Sequence, residues 1–131
     1  MRAPCAFDYA VLRVVPRVER EEFLNAGVVV WCLAQDYLAA RVALDVDRLK
    51  ALDPAADVEA IAAHLEAVPR ICAGDPAAGP VARLPAKERF HWLVSPRSTV
   101  LQTSAVHSGT TEAPDRALER LFRTLVERRD R

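Results

Sequence analysis

Residues 26–33, AGVVVWCL, contain no charged side chain, and their only polar groups are the Trp31 indole N–H and the weakly hydrogen-bonding Cys32 thiol. The run is short and rich in β-branched valine, so it reads as a strand rather than a helix. A strand that does not alternate apolar with polar has no solvent side. It belongs at the centre of a sheet covered on both faces. That single segment demands neighbouring strands and layers packed over them.

The flanking residues supply the neighbours. Residues 7–15, FDYAVLRVV, read as a strand with Tyr9, Val11 and Val15 on one face, interrupted by Arg13. Pro16 ends it, because proline cannot donate to a ladder. A charged turn follows, with one helical turn expected around Glu21 to Leu24. Gln35 and Asp36 suit a tight connection, and Tyr37 to Leu44 returns as a third strand in an antiparallel hairpin. Leu38, Ala40, Val42 and Leu44 share one of its faces.

The second half alternates helical and extended signals. Asp45 to Leu52 suits a brief helical turn. Asp53-Pro54 reads as an N-cap followed by proline at the first helical position. Val58, Ile61, Leu65 and Val68 then form one stripe, and Pro69 is expected to end or kink that helix. Residues 73–85 read as a surface loop. A short helix over 86–94 should turn Phe90, Leu93 and Val94 inward until Ser95-Pro96 stops it. The last helix, from Pro114, has Leu118, Leu121, Phe122, Leu125 and Val126 at i, i+3, i+4, i+7 and i+8.

One extended segment, Thr99 to Val106, does not pattern cleanly. Val100, Gln102, Ser104 and Val106 point one way, and Leu101, Thr103, Ala105 and His107 the other, so both faces mix apolar and polar groups. Hydrogen-bonding groups on a strand imply an internal polar network or a ligand cleft. The expected fold class is α+β: an antiparallel sheet of about four strands with helices packed on it, one domain over residues 1–131. A chain of 131 residues can bury roughly two-thirds of its unfolded surface.

Charge narrows the function classes. Eighteen basic and eighteen acidic residues cancel, so no nucleic-acid partner is expected. The RRDR run at 128–131 suits a solvated helix end. Neither a signal peptide nor a membrane span is visible, and the odd, widely spaced Cys5, Cys32 and Cys72 read as free thiols of a cytoplasmic protein. His64, His91 and His107 show no metal-ligand spacing, so no metal and no cofactor is expected. Phosphate-loop, dinucleotide, zinc-protease and acyl-transfer motifs are absent, which points away from an enzyme.

Candidate site residues come from two polar blocks. Arg97, beside Ser98 and Thr99, suits either a bidentate anion contact or an ion pair with Glu21 or Glu22, the pair being preferred. Arg13 carries the same ambiguity. His107 suits acid–base work or, as the preferred reading, a structural bond at a strand end. Asn25 and Gly27 suit a turn with positive φ. Trp31 reads as core and Trp92 as a partly exposed anchor.

Two segments together, YAVLRVVPRVEREEFLNAGVVV and RFHWLVSPRSTVLQTSAVHSGTTEAPDRALERLFRTLV, resemble the bacterial proteins grouped as domain of unknown function 3037. The resemblance spans nearly the whole chain. It implies a small bacterial protein, often encoded beside a HipA-like kinase, which would be its partner. Its recurring polar positions fall on Arg20, Glu22, Asn25 and Gly27, then on Pro96, Arg97, Ser98, Gln102, His107 and Gly109. Ala113, where an acidic residue often precedes the proline, leaves the last helix without an obvious N-cap. Two functions are therefore in view. One is a non-enzymatic accessory or protein-binding module, with self-association through a sheet edge or the Trp92 helix as a variant. The other is a small-molecule or anion site, or an enzyme, in which Arg13, Arg20, Glu22, Asn25, Arg97, Ser98, Gln102 and His107 converge.

Overall fold

A computed structural model describes residues 3–127; the RRDR run at 128–131, expected as a helix end, lies outside them. Strands β1 (Cys5–Val14), β2 (Leu24–Cys32), β3 (Tyr37–Val42), β4 (Leu101–Thr103) and β5 (His107–Thr111) build one antiparallel sheet. Its order is β3-β2-β1-β4, with β5 also paired to β1. Helices α1 (Val46–Leu52), α2 (Val58–Cys72), α3 (Ala86–Val94) and α4 (Pro114–Leu125) pack on it, so the fold is α+β. Short 3-10 turns occupy Val18–Arg20, Pro76–Ala78 and Pro80–Arg83.

The apolar run is the buried strand that its pattern demands. Val28, Val29, Val30 and Cys32 have no exposed surface. Val28, Val30 and Cys32 meet Ala117, Leu118, Phe122 and Val126 of the α4 segment on one face. Val29 and Trp31 meet Val68, Ile71 and Cys72 of α2 and Phe90 and Leu93 of α3 on the other. At the sheet's end Val14, Leu24 and Ala26 close against Leu49, Ile61 and Leu65. Each fully buried Val, Leu or Phe contributes roughly 1.5–3 kcal/mol, so the two covering layers account for most of what holds the sheet.

Gly27 works differently from its expected turn role. It sits inside β2, and an added Cβ would lie 2.8 Å from the Arg41 carbonyl oxygen, from Leu12 and from Val42. The absent side chain permits close packing of three strands, not a positive φ. The non-glycine residues with positive φ, among the described residues, are instead Glu21 and Asp36, the latter in the β2–β3 hairpin. No helical turn forms over Glu21 to Leu24; the 3-10 turn precedes it, and Leu24 already begins β2. Beside Gly27 the β1–β2 register slips: Leu12 faces Gly27 while Arg13 faces Asn25. Ala26 is the extra residue, and the bulge returns Leu24 to the same side as Val14.

The single expected fourth strand is in fact two short ones. Thr103 faces Leu12 and His107 faces Tyr9, so the edge spends four steps where β1 spends three. The odd residue reverses side-chain parity, which is why neither face of 99–107 looked uniform. Ser104 repairs the gap. Its hydroxyl accepts the Val11 N–H at 2.9 Å and donates to the Ala105 carbonyl, while its own N–H reaches the Val11 carbonyl at 2.9 Å. Ser104 is accordingly buried.

Helix boundaries shift in instructive ways. Asp57, not Asp53, caps α2, accepting from the Ala60 N–H; Asp53 instead closes a tight turn at Ala55. Pro69 does not end α2, which runs on to Cys72. The late carbonyls of α2 are taken by Arg89 of α3, whose Nη1 donates to Ile71 and Cys72 and whose Nε donates to Leu84. That guanidinium ties α2, the 3-10 turns and α3 together. α4 starts at Pro114 without a side-chain cap; Thr111 Oγ1 holds the Ala113 N–H instead.

Candidate functional site

Between α2, the C-terminal end of α3 and strand β4 lies a cleft of ≈ 620 Å³. Its existence follows from side-chain size. The α2 positions lining it include Ala60, His64 and Ala67, beside the larger Ile61 and Val68, and the preceding turn adds Ala55 and Ala56. Alanines on one wall cannot reach Trp92, Leu93 and Leu101, which also line it, so the space between stays open. Leu12 of β1 also lines the cleft. A largely apolar concavity of this size with a few polar groups is the usual form of a small-molecule site.

The polar members have distinct duties. Asp53 and Asp57 are engaged with backbone N–H groups of the turn and of α2. Thr99, Gln102 and Thr103 donate to the carbonyls of Leu101, Thr99 and Val94, which fixes the path of the wall. Arg97 is held from two directions. Its guanidinium carbon lies 4.5 Å from the centre of the Trp92 ring, and Nη2 donates to the Trp92 carbonyl. Cation–π stacking and a backbone bond position the group without consuming its other donors. No ion pair is made by Arg97 among the described residues; Glu22 accepts from Arg20 instead. The expected staple to Glu21 or Glu22 is thus replaced by an arginine resting on an indole.

The two polar blocks meet, but not where Arg97 and His107 are. Arg13 faces Asn25 of β2 on one side and Gln102 of β4 on the other. The three form a row across the sheet, because cross-strand partners share a face. In that row Asn25 donates to the Leu125 carbonyl at the end of α4. The Arg13 guanidinium lies 4.2 Å over the Phe23 ring, with its Nε buried and unpartnered among the described residues. His107 begins β5, exposed, with its ring 5.3 Å from Tyr9. Tyr9 packs with the α4 layer, so His107 is on the opposite side of the sheet from the cleft that Arg97 lines. Ser98 is exposed between them in sequence. Arg20 and Glu22 pair with each other at the surface.

Convergence of all eight candidates into one cluster therefore does not occur. Arg97 and Gln102 border the cleft; Gln102 also joins Arg13 and Asn25 in the cross-strand row; Arg20, Glu22, Ser98 and His107 belong to neither. His64 was missed as a cleft residue. Its only sequence signal is its position three after Ile61, at the margin of the α2 stripe. Among the described residues no group of three His, Cys, Asp or Glu is placed to hold a metal ion. No helix among them is long and apolar enough to cross a membrane.

The family model described as "Protein of unknown function (DUF3037)" matches residues 9–126. No curated protein and no solved structure matches the chain.

Proposed function

The chain belongs to the DUF3037 family, and from that premise we propose that its cleft binds an amphipathic molecule with an anionic head group. The apolar part rests against Ala60, Ala67, Leu101 and Leu93, and the head group meets Arg97. One observation carries this reading: among the described residues Arg97 is the only arginine or lysine lining the cleft, and there it is stacked on Trp92 rather than paired with a carboxylate. A charge-assisted hydrogen bond from such a group is worth roughly 1.5–3 kcal/mol, or about tenfold to a hundredfold in affinity. This is a binding role.

A second reading rests on Trp92, which is 41% exposed at the same rim. Tryptophan and arginine together are the residue types most enriched at the energetic centres of protein interfaces. On this reading the protein is an accessory module and the rim receives a partner protein, with a HipA-like kinase as the candidate that the family resemblance implies.

Purification from native cells under mild conditions, with mass spectrometry of retained small molecules and proteins, separates the two. The ligand reading expects a retained apolar acid or phosphate ester with the wild type and none with Arg97→Ala of unchanged melting temperature. The partner reading expects a kinase retained by the wild type and lost with Trp92→Ala. An empty cleft and a solitary protein would overturn both.

A further inference from the structure

On the far side of the sheet from the cleft, the structure carries a second chemical feature that the binding role does not use. Cys5 opens β1, Cys32 closes β2, and their sulfurs lie 3.2 Å apart. All three cysteines are free thiols. Cys5 is partly exposed, lining an open recess with Ala3, Pro4, Ala34 and Gln35, whereas Cys32 has no exposed surface. The Cys5 sulfur also accepts from Gln35 Nε2 and approaches the Thr111 carbonyl, so its place is set from three elements. A disulfide requires about 2.05 Å between sulfurs. Closing the remaining gap takes a modest side-chain rotation at the first residue of an edge-paired strand.

We propose that Cys5 and Cys32 form a reversible disulfide, with Cys5 as the residue that meets a hydroperoxide oxidant and Cys32 as the resolving thiol. Cys5 attacks one peroxide oxygen as thiolate; the O–O bond breaks, and the departing hydroxide takes the thiol proton to become water. The Cys5 sulfenic acid is then attacked by the Cys32 sulfur. The S–O bond breaks, the S–S bond forms, and the second hydroxide leaves as water with the Cys32 proton. Two thiols supply two electrons, and one hydrogen peroxide becomes two waters. Accessibility assigns the order, because a thiol must be reached before it is oxidised. Burial and the Cys5 contact both push the Cys32 thiol upward in pKa, which disfavours Cys32 as the first thiol to be oxidised. Cys72, buried in the α2 layer and pushed up to about 12 by burial, serves as an internal control.

The test uses the full chain, reduced, freed of reductant and treated with hydrogen peroxide, followed by alkylation and peptide mapping without reduction. The expected result is loss of two alkylatable thiols, a cross-linked pair of peptides containing Cys5 and Cys32 with a mass deficit of two hydrogens, and recovery with dithiothreitol. Cys72 stays alkylatable. Cys32→Ser should leave Cys5 to advance to sulfinic acid, and Cys5→Ser should leave Cys32 intact at the same peroxide dose. Three surviving thiols, a link between two copies of the chain, or oxidation of Cys32 in the Cys5→Ser chain would overturn the proposal.

Discussion

Both faces of the sheet are covered by apolar layers, yet one is sealed over its centre and the other holds a cleft beside β4. Over Phe7, Val28 and Val30 a single helix, α4, presents Leu118 and Phe122, with Val126 at its C-terminal cap, and Arg41 of β3 stacks on Phe122 at 4.4 Å while pairing with Glu119. Over Leu12 and Val29 two helices are present, but the α2 side toward β4 carries alanines and His64, and ≈ 620 Å³ remains open. The second helix does not close the open face. Side-chain volume at a few positions makes the difference, because a layer packs only as closely as its bulkiest residues reach.

That contrast can be broken most severely on the sealed side. Phe122→Ala removes the ring on which both α4 and Arg41 rely, and should cost about 3–5 kcal/mol of unfolding free energy, measured by denaturant titration. A loss under about 1 kcal/mol would mean that the face tolerates a void and is not sealed by packing.

A smaller effect is expected at the edge that walls the cleft. Ser104→Ala strands the Val11 N–H at the break between β4 and β5, and should cost about 1–3 kcal/mol. Faster hydrogen exchange at Val11 and along β4 would accompany it. An unchanged exchange pattern would show that the hydroxyl does not hold the edge.

The contrast is sharpened, rather than broken, by Ala60→Leu. The site is exposed at the cleft, so stability should move by no more than about 0.5 kcal/mol. Retention of the small molecule expected for the wild type should nonetheless be lost, because the added side chain occupies the space. Undiminished ligand retention would place the binding site elsewhere.

Much of the architecture was legible beforehand, for reasons that are local. Residues 28–32 could be nothing but an interior strand, and the Leu118–Val126 stripe could only lie on a sheet. Trp31 proved core, and Trp92 proved exposed. The site was less legible. In the sequence Arg97 reads by preference as the ion-pair partner of Glu21 or Glu22, whereas its neighbour is Trp92, five positions back in α3. His64 was invisible because a helix-margin histidine looks like any solvated one.

What the sequence determined by itself was the type and apolar side of the strongly patterned elements, such as β2 and α4, since these depend on side-chain period and backbone preference within a dozen residues. The tertiary structure alone decided which polar residues would meet. One extra residue at Ala26 and another near Ser104 each reverse the facing of everything beyond them. Those bulges set Arg13 between Asn25 and Gln102 and sent His107 to the face opposite Arg97. Register between strands some ninety residues apart is a property of pairing, and no local pattern encodes it.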